Sequence, residues 1–314
     1  MHKTNRPYQS IPLTSLWIGS VLLGLGTFVH PLAALATERQ AHKFSGSAAL
    51  GYTRRAVSFG ERSSGSDAIS QLRKWIISEL NPLGGQLSLD SFTGETPAGP
   101  VPMTNLIYKF PGKSGKSVVI TGHYDTKRIP MVHFVGANDA GSSTGFLLEF
   151  ARVIQSMEHT DDIYLAFFDG EEAVAQWTDT DSRYGSRHLA GKWAEDGTLG
   201  KIRALINIDM IGDRDLDIAN DENSSPRLKQ MVAQIAAKLG DSKYFLETGG
   251  RIDDDHKPFV DAGVNAIDII DLDYGAQNSY WHTAKDTMDK LSAHSLQMVG
   301  DIVTELVKEL ESGK

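Results

Sequence analysis

Three short apolar segments of this chain are each followed at once by His, Asp or Glu. The segments are 117–121, 163–168 and 204–208, and the polar residues after them are His123 with Asp125, Glu171 with Glu172, and Asp209. Apolar runs of this length, separated by amphipathic stretches, are typical of buried strands in an α/β protein. Because ligands of such proteins bind beyond the carboxyl ends of the strands, we expect these polar side chains to meet at one site.

The segments between these strands have helical periodicity. Helices are predicted over 67–80, 142–157, 226–239 and 292–311, with a short one over 257–263, and further strands over 87–92, 105–110 and 266–270. Strands that alternate with helices predict a three-layer α/β fold, in which helices flank a central, mostly parallel, twisted sheet. We see no internal repeat, low-complexity tract or linker, and therefore expect a single domain over residues 37–314.

Residues 1–36 have the features of an export signal. A short basic region precedes an apolar run over residues 16–29, whose 14 residues are fewer than the roughly 20 that a membrane-spanning helix needs. Residues 34–36 (ALA) form a small-x-small cleavage site. We expect a mature chain that begins near Thr37 and is periplasmic or secreted; the alternative is an uncleaved segment that anchors the protein in the membrane.

The composition excludes several kinds of site and partner. The 314 residues include no cysteine, so any metal must be bound by His, Asp or Glu, and thiol nucleophiles and disulfides are ruled out. The formal net charge of −9 argues against nucleic acid as a partner. The motifs of serine hydrolases, phosphate-binding loops and His-Glu-x-x-His metalloproteases are absent. We expect no stable membrane partner, and a monomer.

The adjacent acids Glu171 and Glu172 leave a buried strand directly. Their side chains therefore point in different directions. One carboxylate can bind a metal ion while its neighbour transfers protons beside it, which suits Lewis-acid catalysis with a separate general base.

Two further motifs offer metal ligands. Asp139 lies in a run of small residues just before a helix, where it could bind a metal or simply cap the helix. His282 follows Tyr280 and Trp281, which predict an apolar wall that would shield a neutral imidazole. Together with Glu172 these residues make three nitrogen and oxygen ligands, and leave open the fourth position that catalytic zinc requires.

Other polar residues each have two possible roles. His123 could bind a second metal, with Asp125 orienting its ring, or both could be structural. Asp209 could bind a second metal or form a hydrogen bond with Glu171. The run DDDH (253–256) could be a solvated turn, or at least one of its acids could face inward.

These motifs resemble those of animal-type glutaminyl cyclases (glutaminyl-peptide cyclotransferases), which belong to a clan of zinc aminopeptidases. The matching segments, in order, are 122–127 (GHYDTK), 135–141 (VGANDAG), 167–190, 254–259 (DDHKPF) and 280–287 (YWHTAKDT). The resemblance extends over about residues 105–310. It implies a zinc aminopeptidase-like fold and an enzyme that converts the N-terminal glutamine of peptides or proteins to pyroglutamate, with release of ammonia.

The resemblance also assigns roles to residues. It implies one Zn²⁺ per chain bound by Asp139, Glu172 and His282, Glu171 as general acid and base with Asp209 and Asp254 as its hydrogen-bonded carboxylate partners, and Trp177 and Trp281 in the substrate pocket. The loop before Trp281 departs from the Pro/Phe-rich run of the family. Tyr274 or Tyr280 is therefore expected to replace the missing aromatic residue of the pocket.

Two other functions compete with the cyclase. A two-zinc aminopeptidase would use five ligands, and all are present: His123, Asp139, Glu172, Asp209 and His282. The additional carboxylate of Asp254 argues against it, because another acid beside Asp209 suits a proton network. A non-catalytic peptide-binding protein would lack Glu171 or a metal ligand, and none is missing.

Overall fold

A six-stranded sheet forms the centre of the protein, in a computed structural model that describes residues 42–313. The strands along the chain are β1 (Gln86–Thr96), β2 (Gly99–Phe110), β3 (Ser117–His123), β4 (Asp162–Phe168), β5 (Ile202–Asp209), β6 (Ile218–Asp221), β7 (Phe245–Gly250) and β8 (Ala266–Ile270). The large sheet has the order β1-β2-β4-β3-β5-β8. Strands β4, β3, β5 and β8 are parallel, whereas β2 is antiparallel to both of its neighbours. Strands β6 and β7 pair separately.

The helices supply the two outer layers. They are α1 (Gly46–Val57), α2 (Asp67–Leu80), α3 (Gly141–Ser156), α4 (Tyr184–Glu195), α5 (Pro226–Leu239), α6 (Lys257–Asp261) and α7 (Ala293–Ser312). Strand β3 is buried along its whole length. Val118 and Ile120 face the core formed with α1, α2, α3, α5 and α7, and Val119 faces a second core formed with α4 and α6. Because side chains alternate across a strand, this pattern confirms the predicted three-layer fold.

The hairpin of β1 and β2 is longer than the sequence predicts. The sequence predicts strands over 87–92 and 105–110, separated by the Gly/Pro-rich stretch 94–102. Most of that stretch is paired as well, with Gly94 opposite Val101 and Thr96 opposite Gly99. Strand β4 pairs only with Leu106–Phe110 of β2. Proline is tolerated in the first half of β2 because that half has a single neighbouring strand in the sheet.

Four elements have no counterpart among the predicted ones: α1, α4, β6 and β7. The buried side of α1 consists of Gly46, Ala49, Thr53 and Ala56, so it lacks the large apolar residues that mark a helix in sequence. Small residues suit this helix because it packs closely on α3: a Cβ atom on Gly145 would lie 2.2 Å from the Thr53 hydroxyl oxygen.

The predicted export signal, residues 1–36, lies outside the described residues, so the boundary at residue 37 stays a prediction. Within residues 42–313, no helix is both long enough and apolar enough to cross a membrane.

Candidate active site

The polar residues that follow two of the parallel strands, β4 and β5, line one cleft of about 440 Å³, whereas His123 and Asp125, after β3, are buried. Asp209 is the last residue of β5, and Glu171 and Glu172 come just after β4. Asp139 enters from the loop before α3, and Asp254 from the loop before α6. The sheet thus brings together side chains far apart in sequence, as expected at the carboxyl ends of parallel strands.

Asp139, Glu172 and His282 form a group of three possible metal ligands, the three-ligand group. The Nε2 atom of His282 lies 3.1 Å from Asp139 Oδ2 and 3.1 Å from Glu172 Oε1. All three ligand atoms fall within 4.8 Å of one another. One nitrogen and two carboxylate oxygens that converge in this way fit a zinc ion, and their position on the cleft wall leaves a side open to a substrate.

The same contacts shift the pKa values of this group. Burial alone would lower the pKa of His282, but hydrogen bonds to Asp139 and Glu172 raise it to about 9. Burial would raise the pKa of Asp139, yet hydrogen bonds from His123 and His282 hold it below its ordinary value. The carboxylates of Asp139 and Glu172 therefore stabilise a positive charge at Nε2 of His282, next to the position that a metal cation bound by this group would take.

Backbone hydrogen bonds hold the segments that carry these ligands. Asp286 accepts the N–H of Asn138 on Oδ1 at 2.8 Å and the N–H of Asp139 on Oδ2 at 3.2 Å. Asp125 does the same for the adjacent acids, accepting the N–H of Glu171 at 3.1 Å and of Glu172 at 3.3 Å. Two buried carboxylates thus fix the backbone on both sides of the three-ligand group.

Glu171 is a buried acid beside these ligands. Burial raises its pKa well above the ordinary value; the charge of His123 opposes this rise, and those of Glu172 and Asp254 add to it. Burial likewise raises the pKa of Asp209 to about 7, although His123 again acts in the opposite direction. Both acids can therefore carry a proton near neutral pH, which suits proton transfer.

His123 occupies the space between Glu171 and Asp209. Its Nδ1 lies 3.8 Å from Glu171 Oε2, and its Nε2 lies 3.2 Å from Asp209 Oδ1. The imidazole thus contacts two of the acids, and Asp254 accepts hydrogen bonds from the Asn207 amide, at 3.1 Å, and from the N–H of Asp255. Hydrogen bonds from Glu171 to Asp209 and Asp254 stay a prediction.

His123 also belongs to a second group of possible metal ligands, with Asp139 and Asp209. Its Nε2 lies 3.3 Å from Asp139 Oδ1, and its Nδ1 lies 3.4 Å from Asp125 Oδ1. Both predicted readings of His123, as a ligand oriented by Asp125 and as a purely structural residue, are compatible with this arrangement.

Two tryptophans border the cleft. Trp177 and Trp281 are 38% and 39% exposed, although apolar residues of this size are usually buried. The Trp281 ring stacks on His282, with ring centroids 4.0 Å apart. Tyr280 does not line the cleft, because its ring packs edge-on against Tyr274, 5.3 Å away, and Tyr274 itself is fully buried.

Several residues at the cleft were not singled out from the sequence. Lys127 donates to Glu172 Oε2 at 3.1 Å, and both Lys127 and Asp286 lie inside motifs that were otherwise recognised. Arg183 joins two walls: its Nη1 lies 2.6 Å from Asp253 Oδ1, and its guanidinium carbon lies 5.8 Å from the centre of the Trp177 ring. Arg183 lies in the matching segment 167–190, but its contacts could not be predicted, because they depend on how two distant loops fold.

Comparisons with known proteins agree with this site. Residues 105–307 match peptidase family M28. Glutaminyl-peptide cyclotransferase of Drosophila melanogaster is 30% identical over 243 residues, which cover 69% of this chain and 68% of the fly protein. The crystal structure of an Acidobacteriales bacterium glutaminyl cyclase has 41% identity and a TM-score of 0.84, and the match covers 88% of this chain and 97% of that chain.

A solved structure with a different description is similar as well. The Zn-dependent exopeptidase from Parabacteroides distasonis has 27% identity and a TM-score of 0.76, over 85% of this chain and 99% of that chain. Cyclases and exopeptidases thus share this fold and much of this sequence. The chain belongs to peptidase family M28, and its predicted relationship to the glutaminyl cyclases is confirmed.

Proposed function

We propose that this protein is a glutaminyl-peptide cyclotransferase, which closes the N-terminal glutamine of peptides or proteins into pyroglutamate and releases ammonia. The observation that carries the proposal is the position of Glu171, a buried acid on the same cleft wall as three convergent metal ligands. Similarity to a fly cyclotransferase and a bacterial glutaminyl cyclase supports the same reaction.

The reaction needs one proton carrier and one electrophilic centre. Asp139, Glu172 and His282 would hold a Zn²⁺ ion, which would supply positive charge to polarise the γ-carboxamide of the glutamine. Glu171 accepts a proton from the α-amine as its nitrogen bonds to the γ-carbon. Glu171 then returns that proton to the departing nitrogen, and the old carbon–nitrogen bond breaks to release ammonia. Because both reacting groups belong to one residue, ring closure depends mainly on orientation.

Asp209 and Asp254 are proposed to support Glu171 electrostatically. Both line the cleft, and the charge of Asp254 contributes to raising the pKa of Glu171 and of Asp209. Neighbouring acids do not all ionise at once, so Glu171 and Asp209, whose pKa values are raised, can hold a proton available for transfer. We propose Trp177 and Trp281 as the apolar walls that orient the glutamine side chain.

We propose one zinc ion per chain, bound by the group that contains His282. In support, His282 and Glu172 lie on the open cleft, whereas His123 is only 1% exposed and is surrounded by carboxylates that compete for its ring nitrogens. Metal analysis of zinc-loaded protein by mass spectrometry tests the count. One zinc per chain is the expected result, and two would contradict it.

A two-zinc aminopeptidase is the second candidate, favoured by the group of His123, Asp139 and Asp209. The deciding experiment measures ammonia release from peptides with N-terminal glutamine beside amino-acid release from unblocked aminopeptidase substrates. Ammonia without peptide cleavage supports the cyclotransferase. Cleavage without ammonia would replace it with the hydrolase.

Export and a monomeric state are further parts of the proposal. Export is supported by the sequence of residues 1–36, in which a basic region and an apolar run precede a small-x-small site. Mass spectrometry of the protein isolated from its native host would give its N-terminus, expected near Thr37. Light scattering of the same sample would give the oligomeric state.

A further inference from the structure

The charges that line the cleft are nearly all paired within the protein. Lys127 donates to Glu172, and its ammonium group is half-buried. Asp253 forms an ion pair with Arg183, and its Oδ1 lies 2.6 Å from Arg183 Nη1. The side chain of Arg183 is almost fully buried. Lys127 and Asp253, one cation and one anion of the cleft wall, thus already have partners within the protein. Neither charge is free to bind a substrate.

Arg251 is different. It lines the same cleft and its side chain is exposed. Among the residues that the structure describes, it has no hydrogen-bond or ion-pair partner. A long cationic side chain without a partner, at the edge of a pocket for peptides, is available to a negatively charged group of the ligand.

The backbone beside Arg251 is held firmly. The N–H of Ile252 donates to Asp221 Oδ1 at 2.9 Å, and Glu222 donates its N–H to the carbonyl of Gly250 at 2.9 Å. Asp221 is itself fully buried. The backbone position of Arg251 is therefore fixed, and the guanidinium group can move only as far as the rotations of its own side chain allow.

The direction of the substrate follows from the proposed reaction, on which this inference rests. The α-amine and side chain of the glutamine react at the buried ligands, so the rest of the peptide must leave toward the exposed edge of the cleft. We propose that Arg251 forms a subsite for a carboxylate carried by the second residue of the substrate. The enzyme then favours peptides with Asp or Glu directly after the N-terminal glutamine.

The test compares three amidated peptides, Gln-Glu-NH₂, Gln-Gln-NH₂ and Gln-Lys-NH₂, by ammonia release from the zinc-loaded protein. An exposed ion pair predicts that kcat/KM for the Glu peptide exceeds that for the Lys peptide about two- to fivefold, mainly through KM. The preference should shrink in 1 M salt, because screening weakens exposed pairs. Comparing Gln-Glu-NH₂ with Gln-Glu-OH distinguishes a side-chain carboxylate from a terminal one.

Charge reversal is the sharpest variant. Arg251→Glu should reverse the order of the Glu and Lys peptides, and Arg251→Gln should abolish the preference. The matched control is Arg54→Gln, which changes an exposed arginine of α1 outside the cleft lining. A wild-type enzyme without preference, or a preference that survives in Arg251→Gln, would overturn the inference alone. Absence of ammonia from all three peptides would overturn the proposed function, and this subsite with it.

Discussion

The floor and the mouth of the cleft are built in different ways. The floor consists of Asp139, Glu171, Glu172, Asp209 and His282, and the mouth of Trp177, Arg251, Asp253 and Trp281. Floor segments are fixed by backbone N–H groups that donate to the buried acids Asp125 and Asp286. The mouth depends on side-chain contacts between loops, such as the one from Arg183 to Asp253. This difference predicts that mutations at the floor change metal binding and chemistry, whereas mutations at the mouth change peptide recognition.

Removal of a metal ligand at the floor should have the largest effect. His282→Ala leaves two of the three ligands, so we expect loss of bound zinc and of ammonia release together. Metal content by mass spectrometry and activity on Gln-Gln-NH₂ are the two measurements. His294→Ala, which changes an exposed histidine of α7, is the control and should retain both. A His282→Ala protein with full metal occupancy would remove His282 from the ligand set.

Glu171→Gln should separate chemistry from metal binding within the floor. The amide is close in size but cannot accept the proton, so we expect kcat to fall by about 10²- to 10⁴-fold. Zinc content should stay unchanged, since the ligand is the neighbouring Glu172. Glu195→Gln, an exposed glutamate at the end of α4, is the matched control. If zinc is lost along with activity, Glu171 is a ligand and its role must be reassigned.

Asp286 offers a milder way to disturb the floor. It touches no ligand atom of the group but accepts the N–H of Asp139 and the hydroxyl of Tyr274, the latter at 2.8 Å. Asp286→Asn replaces one acceptor oxygen with a donor, so the Asp139 segment loses a hydrogen bond. Such supporting contacts typically change metal affinity about 10- to 100-fold. Competition with a zinc chelator measures this change, and Asp289→Asn, an exposed neighbour, should leave it unaltered.

Much of the floor could be predicted from sequence, because its geometry follows from the sheet. An apolar strand such as 163–168 is readable as a pattern, and the residues after it must lie at its carboxyl end. The three proposed ligands, Asp139, Glu172 and His282, were recognised from the sequence motifs that contain them. The position of His123 between two acids could not be predicted, since a side-chain orientation depends on packing from all sides.

The mouth was harder to predict, because its loops have unusual backbone conformations. Gly275, Gln277 and Asn278 have positive φ values of 73°, 57° and 59°. These left-handed residues turn the chain so that Tyr280 meets Tyr274 and not the cleft. No periodic pattern reports such turns, and non-glycine residues seldom adopt them.

Substitution of Trp177 at the mouth should have the smallest effect of the series. Its ring is partly exposed, so Trp177→Ala removes part of an apolar wall without opening the core. We expect KM for Gln-Gln-NH₂ to rise about tenfold, in line with the 1–3 kcal/mol typical of one apolar contact in a pocket. Because the floor is held by its own hydrogen bonds, kcat and zinc content should change little. Steady-state kinetics with Trp177→Phe as the conservative control provides the measurement. A fall in kcat with unchanged KM would show that the mouth acts on the chemistry, and that the two layers are not separable.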